Sequence, residues 1–116
     1  MVKIYHNSRC SKSRGACEIL KDNGIDAEVV EYLKTPPTED EIRQILEKLS
    51  MKAFEIVRKG EDIFKSKYAG KEYSEPEWIG ILAENPILIE RPIIVKGDQA
   101  VIGRSPEKII ELINSL

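Results

Sequence analysis

Residues 2–20, VKIYHNSRCSKSRGACEIL, decide the fold because their pattern changes from that of a strand to that of a helix. The segment Val2 to His6 is predicted to be a short buried strand, and the polar stretch from Asn7 to Ser11 interrupts it. The apolar residues Ala16, Ile19 and Leu20 then have helical spacing, and the predicted helix ends at Asn23-Gly24. The chain is therefore expected to open with a strand, a loop and a helix.

The segments that follow predict a second strand and, near the other end, a hairpin. Ala27 to Leu33 is β-branched and alternating, and a strand, helix and strand of this length imply a parallel pair with a crossover. Gly97-Asp98 separates the apolar runs 93–95 and 100–102, which is typical of a tight hairpin turn. A last amphipathic helix is predicted from the apolar residues at 109, 110, 112 and 113.

The middle of the chain has a helical pattern. Thr38 and Glu41 form a predicted capping box after the break at Thr35-Pro-Pro. From there to about residue 85 the apolar positions have helical spacing, so we expect an all-helical insertion over about 39–85. The order βαβ, insertion, ββα predicts a thioredoxin-like α/β fold, with another small α/β sandwich as the alternative. Residues 1–116 are expected to form a single domain.

The amino-acid composition and the net charge limit the kinds of protein that this chain can be. The 116 residues are 41% hydrophobic and 33% charged, which fits a globular protein large enough to fold without disulfides or a structural metal. Because 18 basic residues face 20 acidic ones, no global field would attract nucleic acid or an anionic membrane. The chain shows no signal-peptide pattern and no apolar run of membrane-spanning length, so we expect the cytoplasm.

Cys10 is the main candidate for chemistry. It lies where the first strand gives way to the helix, and the free N–H groups and positive dipole end of a helix favour a thiolate. The basic residues Arg9, Lys12 and Arg14 surround it, and such neighbours lower the pKa of a thiol. The same geometry binds oxyanions. The alternative is a buried cysteine that acts only as a small apolar residue.

Ser13 stands where a dithiol oxidoreductase would carry its second cysteine, so the loop is predicted to be of the monothiol kind. Cys17 is seven helical residues from Cys10, or about 10 Å, beyond the roughly 7 Å between Cα atoms that a disulfide allows. We interpret Cys17 as a core residue. The thiol that resolves Cys10 is therefore expected to come from glutathione or from a partner.

Other candidates lie at the ends of the predicted elements. His6 ends the first strand four residues before Cys10 and is placed to tune its charge, although a purely structural polar role is the alternative. Arg91 precedes Pro92 at the start of the third strand, with a candidate cis bond between them, and Arg104 follows the fourth. Guanidinium groups suit tetrahedral oxyanions. One histidine and two cysteines predict no metal site.

Three segments carry a family resemblance: Tyr5-His-Asn-Ser-Arg-Cys-Ser-Lys-Ser-Arg14, Ile89-Glu-Arg-Pro-Ile-Ile-Val95 and Ile102-Gly-Arg-Ser-Pro-Glu107. Together they resemble the glutathione- and glutaredoxin-coupled arsenate reductases, a family that in its wider sense includes the Spx-type transcription regulators. The resemblance spans nearly the whole chain. It implies a thioredoxin-like fold with a helical insertion, no bound cofactor, and three arginines around arsenate. Arg91 and Arg104 match two of them.

The third arginine comes from the resemblance alone, through Ile56-Val57-Arg58-Lys59, which points to Arg58. The family chemistry implies that the Cys10 thiolate attacks arsenate, that glutathione then attacks the adduct, and that arsenite leaves while a glutaredoxin resolves the mixed disulfide. The chain departs from the pattern at Ser8 and Ser105, where members usually carry proline. Because it stops at Leu116, it resembles the short chromosomal members.

Two other functions remain open at this level. An Spx-like regulator would use the same fold to bind RNA polymerase without catalysis, but such regulators generally carry a Cys-x-x-Cys switch, which Ser13 removes here. A general monothiol oxidoreductase acting on protein or glutathione disulfides would need the thiolate but not the converging arginines. Arsenite release in the presence of glutathione and glutaredoxin, measured beside disulfide exchange, separates these functions.

Overall fold

The computed structural model describes residues 2–7, 9–103 and 105–114. The chain forms two compact units, one from residues 1–35 with 91–116 and one from residues 36–90. The helical segment predicted at 39–85 falls within the second unit. That the whole chain acts as one domain remains a prediction.

The first unit contains a four-stranded sheet. Its strands are β1 (Val2–His6), β2 (Ala27–Glu31), β3 (Ile93–Lys96) and β4 (Gln99–Ile102), in the order β2-β1-β3-β4. β1 pairs in parallel with β2, whereas β1 with β3 and β3 with β4 are antiparallel. This confirms the predicted thioredoxin-like α/β plan, with helices between and after the two strand pairs.

Two helices of the first unit, α1 (Ser11–Asp22) and α4 (Pro106–Asn114), bury their apolar faces in a core that they share with the sheet. The fully buried Ile4 and Ile94 are register partners on adjacent strands and form the centre of this core. The other buried members are Val2, Ala16, Leu20, Ile109 and Leu112. This packing fixes α1, and therefore its N-terminus, against the sheet.

The hairpin prediction is confirmed, whereas the predicted end of β2 is wrong. Lys96 and Gln99 face each other across Gly97-Asp98, and Gly97 adopts a φ of 59°, which glycine allows without strain. β2 ends at Glu31 rather than Leu33, because the N–H groups of Lys34 and Thr35 both bond to the carbonyl of Glu31 at 2.9 Å. The chain therefore turns two residues earlier than its β-branched pattern indicates.

The second unit contains α2 (Glu39–Leu49) and α3 (Glu75–Glu84). The predicted capping box at the start of α2 is confirmed: the Glu41 N–H donates to Thr38 Oγ1 at 3.2 Å, and the Thr38 N–H donates to Glu41 Oε1 at 3.1 Å. Ser74 and Glu77 cap α3 in the same way. Both helices thus begin where the sequence supplies a side-chain acceptor for the first amides.

The stretch between these helices is less regular than an uninterrupted helical pattern implies. It contains a 3₁₀ helix at Ala53–Ile56 and a π-helix at Phe64–Tyr68, with a further 3₁₀ helix at Pro86–Leu88 after α3. Val57, within the segment that we predicted to be helical, instead pairs with Ile89 in an isolated antiparallel bridge. Trp78 is buried among Phe54, Phe64, Tyr68 and Tyr73. These five aromatic side chains therefore form one packed cluster within the second unit.

Across the described part of the chain, no helix has the length and apolar character that a membrane crossing requires.

Candidate active site

Cys10 occupies the N-cap of α1, with extended backbone angles of φ −97° and ψ 123°. Its N–H donates to the Asn7 carbonyl at 2.9 Å, and its own carbonyl accepts from the Arg14 N–H at 3.1 Å. The side chain is half-buried. The sulfur therefore lies at the positive end of the helix, as the sequence predicted.

Asn7 and Ser13 hold the loop around Cys10. The Asn7 N–H donates to Ser13 Oγ at 3.3 Å, and Asn7 Oδ1 accepts from the Arg9 N–H at 3.0 Å. Ser13 is fully buried and Asn7 is nearly so. The residue in the position of a second redox cysteine therefore stabilises the loop. Asn7 was not among the site residues predicted from the sequence, although asparagine often bonds to the backbone two residues further on.

The pKa of the Cys10 thiol lies below its ordinary value. Burial of the sulfur raises the pKa, but the backbone N–H of Ser13, a hydrogen bond from Arg91 and the backbone N–H of Lys12 together outweigh burial. The sulfur makes no regular capping hydrogen bond, so the amides act on it mainly by orienting their dipoles toward it. Lys12 contributes through its amide rather than through its ammonium group.

Arg91 lies next to this sulfur because of the sheet topology. The carboxyl ends of β1 and β2 and the start of the antiparallel β3 lie at the same edge, and Arg91 is two residues before β3. Its side chain hydrogen-bonds both Cys10 and Tyr32. Burial lowers the pKa of Arg91, but these two partners raise it above its ordinary value, so the group remains a cation. The Arg91-Pro92 bond is cis.

The described contact of His6 is with Cys17. The Nδ1 atom of His6 lies 3.6 Å from the Sγ atom of Cys17. Burial lowers the pKa of His6, with a smaller lowering from Arg14, against opposing effects of Glu31 and the Ser13 backbone. Burial raises the pKa of the Cys17 thiol. A neutral imidazole therefore rests against a protonated thiol, and the tuning of Cys10 by His6 remains a prediction.

Arg58 belongs to the helical unit. Its Nε atom lies 3.2 Å from Glu61 Oε2, its Nη1 atom lies 3.9 Å from Glu90 Oε2, and 23% of the side chain is exposed. Its N–H donates to the Leu88 carbonyl at 2.7 Å. Two carboxylates therefore neighbour the guanidinium and would compete with an added anion. Arg104, the remaining predicted arginine, lies outside the described residues, as does Ser8.

The residues that follow Cys10 line a groove of about 200 Å³. Ser11, Lys12 and Gly15 form one side of it, and Gly103 and Pro106 line the other. A larger cavity, of about 590 Å³, lies within the helical unit and contains none of the predicted site residues. The described segments contain no group of three His, Cys, Asp or Glu side chains arranged to hold a metal ion.

Known proteins are similar to this chain over the region that contains Cys10 and Arg91. The model of the ArsC family matches residues 5–112. An Escherichia coli K12 protein named "Uncharacterized protein YfgD" is 46% identical over 114 residues, covering 97% of this chain and 96% of that one. The "Arsenate reductase" of Neisseria meningitidis serogroup A is 39% identical over 110 residues, covering 93% and 94%.

A solved structure leads to the same group of proteins. The structure "Arsenate reductase from Vibrio cholerae" superposes with a TM-score of 0.90 at 38% identity, and the match covers 95% of each chain. The similarity therefore includes both the sheet-containing unit and the helical unit in sequence order.

Proposed function

Because the chain belongs to the ArsC family, we propose that it is an arsenate reductase with Cys10 as its nucleophile. The observation that supports this most directly is the position of Cys10. Its sulfur lies at the start of α1, where two amides and the Arg91 guanidinium stabilise the thiolate. A thiolate is the form of cysteine that attacks. The relatives named as arsenate reductases make arsenate the substrate to test first.

In the proposed reaction, the Cys10 thiolate attacks arsenic and displaces water, which leaves a covalent thiol-arsenate adduct. The thiol of glutathione then attacks the Cys10 sulfur. The electron pair of the sulfur–arsenic bond stays on arsenic, which is reduced from As(V) to As(III) and departs as arsenite. A glutaredoxin reduces the mixed disulfide that remains between Cys10 and glutathione, and this restores the thiol.

We assign oxyanion binding to Arg91, Arg58 and Arg104. Arg91 has direct structural support, because it already hydrogen-bonds the reacting sulfur. Arg58 and Arg104 are assigned by family resemblance. A preorganised donor facing developing charge on an oxygen is typically worth about 3 kcal/mol in the transition state. Loss of any one of the three is therefore expected to reduce turnover by roughly a hundredfold.

The remaining site residues have supporting roles in this proposal. Ser13 holds the loop through Asn7, and Pro92 fixes the chain that carries Arg91. The neutral His6 ring lies against Cys17 in α1, beside the loop that carries Cys10. We propose no bound cofactor, glutathione as the reductant and the cytoplasm as the compartment, because thiols stay reduced there.

The test is arsenite release from arsenate by the full chain with glutathione and glutaredoxin. Cys10→Ser should abolish release and leave the thermal unfolding transition in place, whereas the matched control Cys17→Ser should keep most of the activity. Full activity in the Cys10 variant would end the proposal. Disulfide exchange with glutathione mixed disulfides, without arsenite release, would instead identify a general monothiol oxidoreductase.

A further inference from the structure

Tyr32 is a buried polar side chain for which the proposed chemistry has no role. It is the first residue after β2, and only 1% of it is exposed. β2 itself is poorly covered, since Val29 on the same strand is 52% exposed. A phenol buried at the end of an otherwise exposed edge strand needs a polar partner for its hydroxyl group.

That partner is Arg91, whose side chain hydrogen-bonds Tyr32 and also Cys10. A guanidinium has only donors, so the Tyr32 oxygen and the Cys10 sulfur both accept from it. The sheet explains the arrangement, because β1 leads into the Cys10 loop, β2 ends at Tyr32 and β3 begins beyond Arg91, all at one edge. Arg91 therefore interacts with both a buried hydroxyl group and the nucleophile.

We propose that Tyr32 is a positioning residue whose buried hydroxyl holds the Arg91 guanidinium in the orientation that faces the Cys10 sulfur and the oxyanion above it. The assignment of the oxyanion rests on the proposed function, whereas the positioning of Arg91 toward the sulfur does not. Tyr32 touches neither the substrate nor the sulfur in this proposal. It acts through Arg91.

The physical basis is the flexibility of arginine. A half-buried arginine side chain has several rotatable bonds, and it loses conformational freedom when it must face one sulfur. An acceptor on a rigid, fully buried ring fixes the guanidinium before the substrate arrives. Substrate binding then has less ordering left to supply, which is the general benefit of preorganisation.

The test removes only the hydroxyl group, through Tyr32→Phe in the full chain. The alkylation rate of Cys10 by iodoacetamide is followed against pH, with the modified peptide located by mass spectrometry. The apparent pKa of Cys10 should rise by roughly half a unit, and KM for arsenate should rise about fivefold with a smaller change in kcat. Tyr68→Phe is the matched control, since it removes a tyrosine hydroxyl that bonds Asn85 in the helical unit; it should change neither quantity.

A double-mutant cycle shows whether Tyr32 acts through Arg91. With Arg91→Ala already present, Tyr32→Phe should raise the Cys10 pKa no further. If Tyr32→Phe raises the Cys10 pKa equally in the wild-type and the Arg91→Ala backgrounds, the effect comes from packing and the proposal is overturned. The proposal is also overturned if Tyr32→Phe does not raise the Cys10 pKa in the wild-type background. If Tyr32→Phe does not fold, Arg91→Lys keeps the positive charge but removes the planar guanidinium that Tyr32 is proposed to orient. An unchanged thiol pKa in that variant overturns the proposal.

The two readouts keep this inference separate from the proposed function. Absence of arsenite release by the wild-type chain would refute arsenate reduction, yet the alkylation measurement would still decide the role of Tyr32. Conversely, a wild-type enzyme whose Tyr32→Phe variant shows an unchanged thiol pKa would keep its function and lose this positioning residue.

Discussion

The Nδ1 atom of His6 lies 3.6 Å from the Sγ atom of Cys17, two helical turns along α1 from the proposed nucleophile. The imidazole thus contacts the second cysteine of α1, and its predicted effect on Cys10 is still to be tested. Because burial lowers the pKa of His6 and raises that of Cys17, both groups are neutral near neutral pH. This pair connects the end of β1 to the middle of α1 beside the redox loop.

The first prediction concerns the titration of His6, which is the single histidine of the chain. Its NMR titration midpoint should lie below the ordinary value of about 6.5, since burial disfavours the charged imidazolium. Cys17→Ala should raise the midpoint by admitting solvent to the ring, whereas Cys10→Ala should leave it unchanged. A larger shift in the Cys10 variant would show that the ring is coupled to the nucleophile instead.

The second prediction compares the two thiols directly. The pKa of Cys10 is lowered and that of Cys17 is raised, so at neutral pH iodoacetamide should modify Cys10 at least about tenfold faster. The Cys10 rate should also level off at a lower pH. Peptide mass spectrometry separates the two sites. Equal rates, or faster modification of Cys17, would contradict the electrostatic picture of the loop.

The third prediction tests Arg58 as an oxyanion ligand. Hydrogen bonds to charged groups contribute about 1.5–3 kcal/mol, so Arg58→Ala should raise KM for arsenate roughly tenfold or more. The control is Arg43→Ala in the same unit, which removes an exposed arginine paired with Glu39 and Asp40 and should have little effect. Indistinguishable KM and turnover values for the two variants would remove Arg58 from the site and leave it as a structural partner of Glu61.

The fourth prediction concerns Gly103. A Cβ atom there would lie 2.8 Å from Ile94 Cδ1 and 3.3 Å from both Ile109 Cγ1 and Pro92 Cγ. Since these neighbours are buried, Gly103→Ala should lower the free energy of unfolding by about 1–2 kcal/mol. Gly80→Ala in α3, where nothing lies within 4 Å, should raise it by up to about 1 kcal/mol. Denaturant titration measures both, and a stabilising Gly103→Ala would be the contrary result.

Local patterns predicted the strands and helix ends well because their causes are local. β1 was predicted with its observed bounds, the Gly97-Asp98 turn joins β3 to β4, and Thr38 with Glu41 caps α2. Each of these depends on side chains within a few residues of one another. Even the contribution of the helix end to the pKa of Cys10 follows from its place at the N-cap.

The errors arose at one local turn that the sequence pattern does not show and at positions where distant contacts decide the structure. The early end of β2 follows from a turn at Glu31 that its β-branched pattern does not show. The pairing of Val57 with Ile89 joins residues 32 positions apart, and helical spacing cannot reveal it. Phe54 fits an apolar stripe, but it is 42% exposed, with its ring against Trp78.

The sequence by itself determined that Cys10 stands alone at a strand-to-helix turn with Ser13 in the place of a second thiol. Those facts depend on chain order, and a strand that leads into a helix presents its first amides whatever surrounds it. Only the tertiary structure decided that Arg91 interacts with both Cys10 and Tyr32, and that His6 rests on Cys17. The contacts of Arg91 join segments that are far apart in sequence, and these segments meet at one edge because β1 lies between β2 and an antiparallel β3.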